Sequence, residues 1–222
     1  MSNISIFEIM GPVMIGPSSS HTAGAEKLGK AASSILDKSF DSVEFYLHGS
    51  FAKTYKGHGT DKALVAGILG MSADDERLRD SLQIAEQRGI KVDFIEADLG
   101  EVHPNTAKIV IKNKGVVLLT LVGSSIGGGN IIINEIDGSE LEISGQYPVI
   151  IASYKDVKGM ISKITGVIAK NEVNIATLKV SRSSRGEVAT TVIETDNTAT
   201  TAIVEQITQI ENVISVRVLN SF

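Results

Sequence analysis

The chain of 222 residues contains no cysteine, so it forms no disulfide, uses no thiol nucleophile and supplies no thiolate ligand to zinc. For the same reason it cannot ligate an iron–sulfur cluster by itself, and we assign it no metal ligands of its own. Any chemistry of that kind must come from another chain. A lack of cysteine is also typical of a reducing compartment, so we expect a cytoplasmic protein.

Long apolar segments and basic clusters are also lacking. No run of eighteen apolar residues occurs, and the N-terminal apolar stretch is interrupted by Glu8, Gly11 and Pro12, so we predict neither an export signal nor a membrane span. The net charge of −5 comes from intermixed acidic and basic residues, with no basic patch for phosphate backbones. We therefore expect no nucleic-acid partner.

The first two-thirds of the chain predict an α+β domain, residues 1–146. The segment Asp41–Gly49 alternates between apolar and polar residues, as a half-buried strand does. We predict helices at 25–36, at 61–70 with Thr60 as its cap, and at 74–88. Strands are predicted at 90–96, 107–112, 115–122 and 130–136, and the Asp137-Gly138 turn leads into a strand at 139–144. The expected sheet is mixed and largely antiparallel.

The pattern restarts after Tyr147-Pro148 and predicts a second domain over residues 148–222. The expected strands lie at 149–154, 173–182, 187–195 and 213–219, and the expected helices at 156–171 and about 199–210. This order is βαββαβ, the ferredoxin-like unit that packs two helices on one face of an antiparallel sheet.

The densest polar motif is GPSSSHTAG at residues 16–24, which leads into the first helix. Its hydroxyls and backbone amides are suited to hold a carboxylate or a phosphate at a helix N-terminus. The alternative is that a serine run before a helix serves only as a cap and a loop.

A second motif, HGSFAKTYKGHGTDKA at residues 48–63, includes a predicted loop at 48–61 that places His58 between two glycines. Glycines beside a histidine let a substrate approach closely, and histidine is an effective general base at neutral pH. His58 is our first candidate for that base and His21 our second. The alternative is that a histidine on a loop is only solvated.

A third motif, VGSSIGGGN at residues 122–130, is predicted to join two apolar strands. It has no Walker lysine and no following helix, so we expect no nucleotide site. A turn whose amides face a small anion is the alternative, with Ser124, Ser125, Gly127 and Gly128 as its residues. The sequence HPNT at 103–106 is typical of an ordinary turn, and we assign it no catalytic role.

Five ordered motifs together resemble the beta subunits of iron–sulfur-dependent L-serine dehydratases: SSSHT at 18–22, HGS at 48–50, KGHGTD at 56–61, HPNTAKI at 103–109 and GSSIGGGNIIINEIDG at 123–138. The N-terminal part resembles the family's ASB (allosteric substrate-binding) domain, which is similar to a domain in some phosphoglycerate dehydrogenases. The C-terminal part resembles an ACT domain. Its effector pattern falls on Asp156, Gly159, Asn174 and Ile175, while Lys158 stands where many ACT domains have proline.

The resemblance implies that L-serine loses water and becomes pyruvate and ammonia. It also implies a 4Fe-4S cluster that is ligated by a separate alpha subunit and acts as a Lewis acid on the substrate hydroxyl. As a hypothesis, His58 removes the Cα proton, Asp61 orients its ring and His21 assists. The implied substrate-binding residues are Ser18, Ser19, Ser20, Thr22, Ser50, Gly59 and Thr60.

Two alternatives remain from the sequence. The chain could be a non-catalytic subunit that binds an amino acid or an anion to regulate its partner, or it could be a self-contained binding protein or regulatory module. We expect a homodimer when the chain is isolated. The sequence leaves open whether the ACT domain binds an amino acid or only dimerises.

Overall fold

The computed structural model describes residues 13–36, 38–182 and 184–221. Contacts between Cα atoms divide the chain into two compact units, residues 1–137 and 138–222. Residues 1–12, which carry most of the segment for which we predicted no export signal, lie outside the described residues. Among the residues that are described, no helix is long and apolar enough to cross a membrane.

The first sheet is mixed, as predicted. It contains β1 (Ser42–Leu47), β2 (Lys91–Glu96), β3 (Thr106–Asn113), β4 (Val116–Gly127), β5 (Asn130–Ile136) and β6 (Ser139–Ile143), in the order β2-β1-β3-β4-β5-β6. Strand β1 pairs with β2 in parallel, whereas the pairs β1-β3, β3-β4 and β4-β5 are antiparallel. Alternate residues of β1, such as Val43 and Phe45, are fully buried, which explains the alternation in the sequence.

Two helices of the first unit approach each other closely at glycine residues. A π-helical turn (Ser20–Gly24) continues into α1 (Ala25–Leu36), and α2 (Gly49–His58) is followed by α3 (Thr60–Ile68), a 3₁₀ helix (Glu76–Asp80) and α4 (Ser81–Gln87). A Cβ atom at Gly29 of α1 would collide with the carbonyl oxygen of Leu64, and one at Gly67 of α3 with that of Glu26. Glycine is therefore required where α1 crosses α3.

Three predictions about these helices were wrong in detail. The segment 48–61, predicted to be a loop, is mostly the helix α2, because Phe51 and Ala52 are buried and Gly59 ends the helix at φ 73°. Thr60 does not cap α3: it is the first helical residue, and Gly59 precedes it as the cap. The helix predicted at 74–88 is divided, because the Asp75 side chain accepts a hydrogen bond from the Arg77 backbone N–H and starts a separate 3₁₀ helix.

The second unit confirms the predicted βαββαβ order. Its elements are β7 (Val149–Lys155), α5 (Met160–Lys170), β8 (Ile175–Arg182), β9 (Val188–Thr195), α6 (Thr201–Thr208) and β10 (Val213–Leu219), and the antiparallel sheet has the order β10-β7-β9-β8. Isoleucines of both helices, among them Ile164, Ile168 and Ile203, share one buried cluster with the sheet. Helix α5 begins later than predicted, because Gly159 adopts φ 87° just before it.

Candidate functional site

His21 is buried and in contact with residues from two segments of the first unit. Its Nε2 atom lies 3.2 Å from the hydroxyl oxygen of Ser50, the second residue of α2. Its Nδ1 atom lies 3.4 Å from the hydroxyl oxygen of Ser18. The ring also packs edge-on against Phe51, with 5.2 Å between ring centroids. These contacts fix the orientation of the imidazole within the SSSHT segment.

His58 lies beside His21, although the two residues are 37 positions apart in the sequence. The two ring centroids are 4.9 Å apart, with 58° between the ring planes. Burial, and secondarily the nearby His58, lower the pKa of His21, so that its ring is neutral at neutral pH. His58 is exposed at the C-terminal end of α2. The two predicted histidines are therefore adjacent, one buried and hydrogen-bonded and the other accessible.

A cavity of about 390 Å³ opens beside His58. The SSSHT segment contributes Thr22 to its wall, and the stretch before that segment contributes Ile15, Gly16 and Pro17. The junction of α2 and α3, and the 3₁₀ helix, complete the wall with Lys56, Gly57, His58, Gly59, Lys62, Leu78 and Arg79. The volume is within the range of small-molecule sites.

Two hydroxyl groups of the predicted substrate site are buried without a partner. The hydroxyls of Thr22 and Thr60 make no hydrogen bond to any residue that the structure describes, although their side chains are 1% and 0% exposed. Buried hydroxyls are normally hydrogen-bonded, so an unpartnered one indicates a group that a ligand or a partner satisfies. Ser19 and Ser20 are half-buried at the start of the π-helical turn, where the Ser19 carbonyl accepts from the Gly24 N–H.

Asp61 lies in the first turn of α3, where its carboxylate accepts a hydrogen bond from the Lys62 backbone N–H at 2.8 Å. Burial raises the pKa of Asp61, and the charges of Lys62 and Lys56 act in the opposite direction. No hydrogen bond between Asp61 and His58 is found in the described part of the chain. The role of Asp61 in orienting the imidazole stays a prediction.

The serines predicted to lie in a loop at 122–130 are in fact in a strand. Strand β4 continues through Gly127, and the turn that follows contains Gly128 at φ 61°. The Ser124 hydroxyl lies 2.7 Å from the hydroxyl oxygen of Thr106 and donates to Asn134 Oδ1. Ser125 is fully buried, and its hydroxyl has no partner among the described residues. Both side chains therefore point into protein, so an anion turn is limited to the glycines.

The four predicted effector residues of the second unit contact their own domain. Asp156 accepts hydrogen bonds from the Gly186 backbone N–H at 3.0 Å and from the Arg182 guanidinium at 3.3 Å. These interactions, the Gly186 N–H first, lower the pKa of Asp156. The Asn174 side-chain amide donates to Asp196, Gly159 precedes α5, and Ile175 opens β8 and packs on the core.

The sequence analysis missed several charged residues at this site. Lys56, Lys62 and Arg79 line the cavity, and the first two lie within the KGHGTDK stretch from which only the histidine, the acid, one glycine and the threonine were selected. Glu26 is also buried, on α1 one turn after Thr22, and burial raises its pKa to about 7. Its position on the apolar face of an amphipathic helix was the signal in the sequence.

No group of three or more histidine, aspartate or glutamate side chains that could hold a metal ion occurs among the described residues. The chain also has no cysteine.

Comparison with known proteins gives consistent matches over both units. The family model described as serine dehydratase beta chain matches residues 5–136, and the ACT domain model matches residues 149–212. A probable L-serine dehydratase beta chain from Bacillus subtilis (strain 168) is 44% identical over 213 residues, which cover 96% of each chain. The L-serine dehydratase beta chain of Peptoniphilus asaccharolyticus is 42% identical over 95% of this chain and 96% of its own. A D-3-phosphoglycerate dehydrogenase from Methanocaldococcus jannaschii is 26% identical over 88% of this chain and 37% of its own length.

Proposed function

The chain belongs to the serine dehydratase beta chain family, and we propose that it is the beta subunit of an L-serine dehydratase that releases pyruvate and ammonia. The reaction breaks the Cα–H and Cβ–O bonds of L-serine and forms a carbon–carbon double bond. The departing hydroxide takes up a proton and leaves as water. The resulting aminoacrylate tautomerises to an imine, which water hydrolyses to pyruvate and ammonia.

The cluster that this family uses is assigned to a separate alpha subunit, because this chain has no cysteine to ligate it. When bound, the 4Fe-4S cluster supplies a Lewis acid that makes the serine hydroxyl a better leaving group. What remains for the beta subunit is to bind the amino acid and to take the Cα proton.

His58 is the residue we assign to proton removal. It is exposed on the wall of the cavity, where a substrate has access to its ring. The observation that carries this assignment is its position 4.9 Å, ring to ring, from His21, which belongs to the separate SSSHT motif. Because burial lowers the pKa of His21, the ring that lies next to His58 is neutral.

His21 and the residues around it position the site in this proposal. The buried ring is held between the hydroxyls of Ser18 and Ser50. The buried hydroxyls of Thr22 and Thr60 have no partner among the described residues, and Thr22 also lines the cavity. Asp61 influences the site through its charge.

The replacement of His58 by alanine, in a beta subunit assembled with its alpha subunit and an intact cluster, tests the assignment. Loss of a general base typically reduces kcat by about 100- to 10,000-fold. His103→Ala is the matched control, because His103 is exposed and its Nδ1 accepts from the Asn105 backbone N–H in an ordinary turn. A normal rate for His58→Ala, or an equal loss for His103→Ala, would show that His58 is not the base.

Purification of the native protein tests the partnership. We expect a brown, iron-containing companion chain to copurify with it from the cytoplasm. The isolated beta subunit is expected to be a homodimer. A native protein that purifies alone and without iron would instead favour a self-contained binding module.

A further inference from the structure

Three positively charged side chains line the cavity beside His58. Lys56 is near the end of α2, Lys62 is in the first turn of α3, and Arg79 is in the 3₁₀ helix. No aspartate or glutamate is among the described residues that line the cavity. Three cations that converge from three elements, without a carboxylate in the same wall, favour an anionic ligand.

These cations are not neutralised by ion pairs. Among the described residues, no carboxylate oxygen lies within 4 Å of the charged nitrogens of Lys56, Lys62 or Arg79. Asp61 interacts with both lysines only through its charge, and its carboxylate accepts from a backbone N–H instead. Arg77, two residues before Arg79, differs in this respect: its guanidinium pairs with Asp75 at 2.5 Å. The cavity therefore receives the unpaired arginine of this 3₁₀ helix.

Two uncharged groups support the same ligand. Thr22 is one of the residues that line the cavity, and its buried hydroxyl has no partner in the described part of the chain. Any side chain at Gly16 would collide with that hydroxyl, so the glycine keeps this part of the wall open. The N-terminus of α3 adds the positive end of a helix dipole next to Lys62.

We propose that Lys62 and Arg79 bind the α-carboxylate of the small molecule that reacts at His58, with Lys56 and the Thr22 hydroxyl beside them. This inference rests on the proposed function for the identity of the ligand. A carboxylate on Cα must lie close to the base that removes the Cα proton, and Lys62 and His58 share one wall. The planar fork of an arginine matches both oxygens of a carboxylate.

The charge of the cavity also determines which carboxylate the isolated chain prefers. L-Serine carries an ammonium group next to its carboxylate, and the three cations repel it. Pyruvate has the same carboxylate without the ammonium. The chain alone is therefore expected to bind pyruvate several-fold more tightly than L-serine, about the effect of one unfavourable charge contact near a surface.

Binding to the full-length chain is measured without turnover, by amide chemical shifts or calorimetry at constant ionic strength. The probes are sodium pyruvate, L-serine, L-serinamide, which lacks the carboxylate, and inorganic phosphate. Arg79→Gln and Lys62→Gln are each expected to weaken pyruvate binding about tenfold, as the loss of a hydrogen bond to a charged group does. Arg77→Gln is the matched control and is expected to change it less than twofold. In the assembled enzyme, Arg79→Gln and Lys62→Gln are expected to raise KM more than they lower kcat.

The inference would be overturned if Arg77→Gln weakened pyruvate binding as much as Arg79→Gln and Lys62→Gln do, or if neither of those two variants changed it. It would also be overturned if L-serinamide bound as tightly as pyruvate. The last contrary result would be a chain that binds phosphate but binds neither pyruvate nor L-serine. Circular dichroism identifies a variant that fails to fold, and the other cation then carries the test. Since no step depends on catalysis, a normal rate for His58→Ala would refute the base assignment and leave this result intact.

Discussion

The two units of the chain differ in how their polar groups find partners. In the first unit the side-chain oxygens of Thr22, Glu26, Thr60 and Ser125 are buried without a hydrogen bond to any described residue. In the second unit the Tyr154 hydroxyl lies 2.6 Å from that of Thr191. The unit that holds the candidate site thus has unused hydrogen-bonding capacity, and such groups normally occur where a ligand or a partner satisfies them.

Two predicted effector residues of the second unit already have hydrogen-bond partners within it. Its predicted effector residues Asp156 and Asn174 bond to Gly186, Arg182 and Asp196 of the same unit. An incoming amino acid would have to replace contacts that already exist there. The difference indicates that the buried polar groups named above serve a ligand or a partner in the first unit, whereas Asp156 and Asn174 serve the stability of the second.

The largest effect on stability is expected from a substitution where α1 crosses α3. Gly29→Ala places a Cβ atom against the Leu64 carbonyl oxygen, and because backbone cannot move aside as a side chain can, we expect a loss of about 3 kcal/mol in the free energy of unfolding. Gly166→Ala is the matched change in α5, where a Cβ atom meets nothing within 4 Å. That substitution should stabilise the chain by about 0.5–1 kcal/mol. Urea unfolding measures both, and the same sign for the two would contradict the close crossing.

The next largest effect on stability is expected from the titration of Glu26, and it depends on pH. Burial raises its pKa to about 7 in the folded chain, above the ordinary value of 4.5, so the folded state binds the proton more tightly. Its contribution to stability is therefore greatest below pH 4.5 and is lost as pH rises to 7. After a discount for solvent screening, we expect the loss to be about 2 kcal/mol.

Glu26→Gln removes this titration. Unfolding curves at pH 5 and pH 8 should show the wild type losing stability relative to the variant over that interval. Glu76→Gln, at an exposed position of the 3₁₀ helix, is the control for the loss of one surface carboxylate. Parallel pH profiles for wild type and Glu26→Gln would show that Glu26 does not hold its proton.

Substitutions at two buried threonines are expected to change the free energy of unfolding in opposite directions, by at most about 1 kcal/mol each. Thr60→Val removes a hydroxyl that has no partner among the described residues, so it should leave the chain equally or more stable. Thr191→Val leaves the buried Tyr154 hydroxyl without its partner and should destabilise the folded chain. Thermal unfolding compares the two. A rise in stability with a fall in kcat/KM for Thr60→Val would show that the hydroxyl is retained for the substrate.

Much of the fold follows from local patterns in the sequence, whereas the site depends on tertiary contacts. The alternation in β1 and the apolar spacing of α1 predicted both elements, because each buries one face. Helix α2 was missed because the glycines at both of its ends are typical of a loop, and the burial of Phe51 outweighs them. Ser124 and Ser125 also resemble loop residues, yet pairing with β3 and β5 on both sides keeps them in a strand.

The positive charge of the cavity wall could not have been predicted from the spacing of basic residues in the sequence alone. Arg79 lies 23 residues after Lys56, and its neighbour Arg77 has the same side chain with a different role. Only the capping of the 3₁₀ helix by Asp75 determines which arginine pairs locally and which lines the cavity. Motif resemblance did indicate both histidines, but their direct contact comes from the packing of the π-helical turn against α2.

The smallest effect is expected at Asp156, and it has the opposite sign to that of Glu26. The Gly186 N–H and Arg182 lower the pKa of Asp156, so its folded form releases the proton more readily than the unfolded chain does. Its contribution is therefore present above the ordinary aspartate pKa and is lost as pH falls through the lowered value. Because the Asp156 carboxylate is only partly buried and solvent screens its ion pair with Arg182, the gain in stability is small. Thermal unfolding of Asp156→Asn should differ slightly from wild type at pH 7 and converge with it in acid. A large loss at pH 7 together with a lost response to an amino acid would instead make Asp156 a ligand-binding residue, and the contrast between the two units would no longer hold.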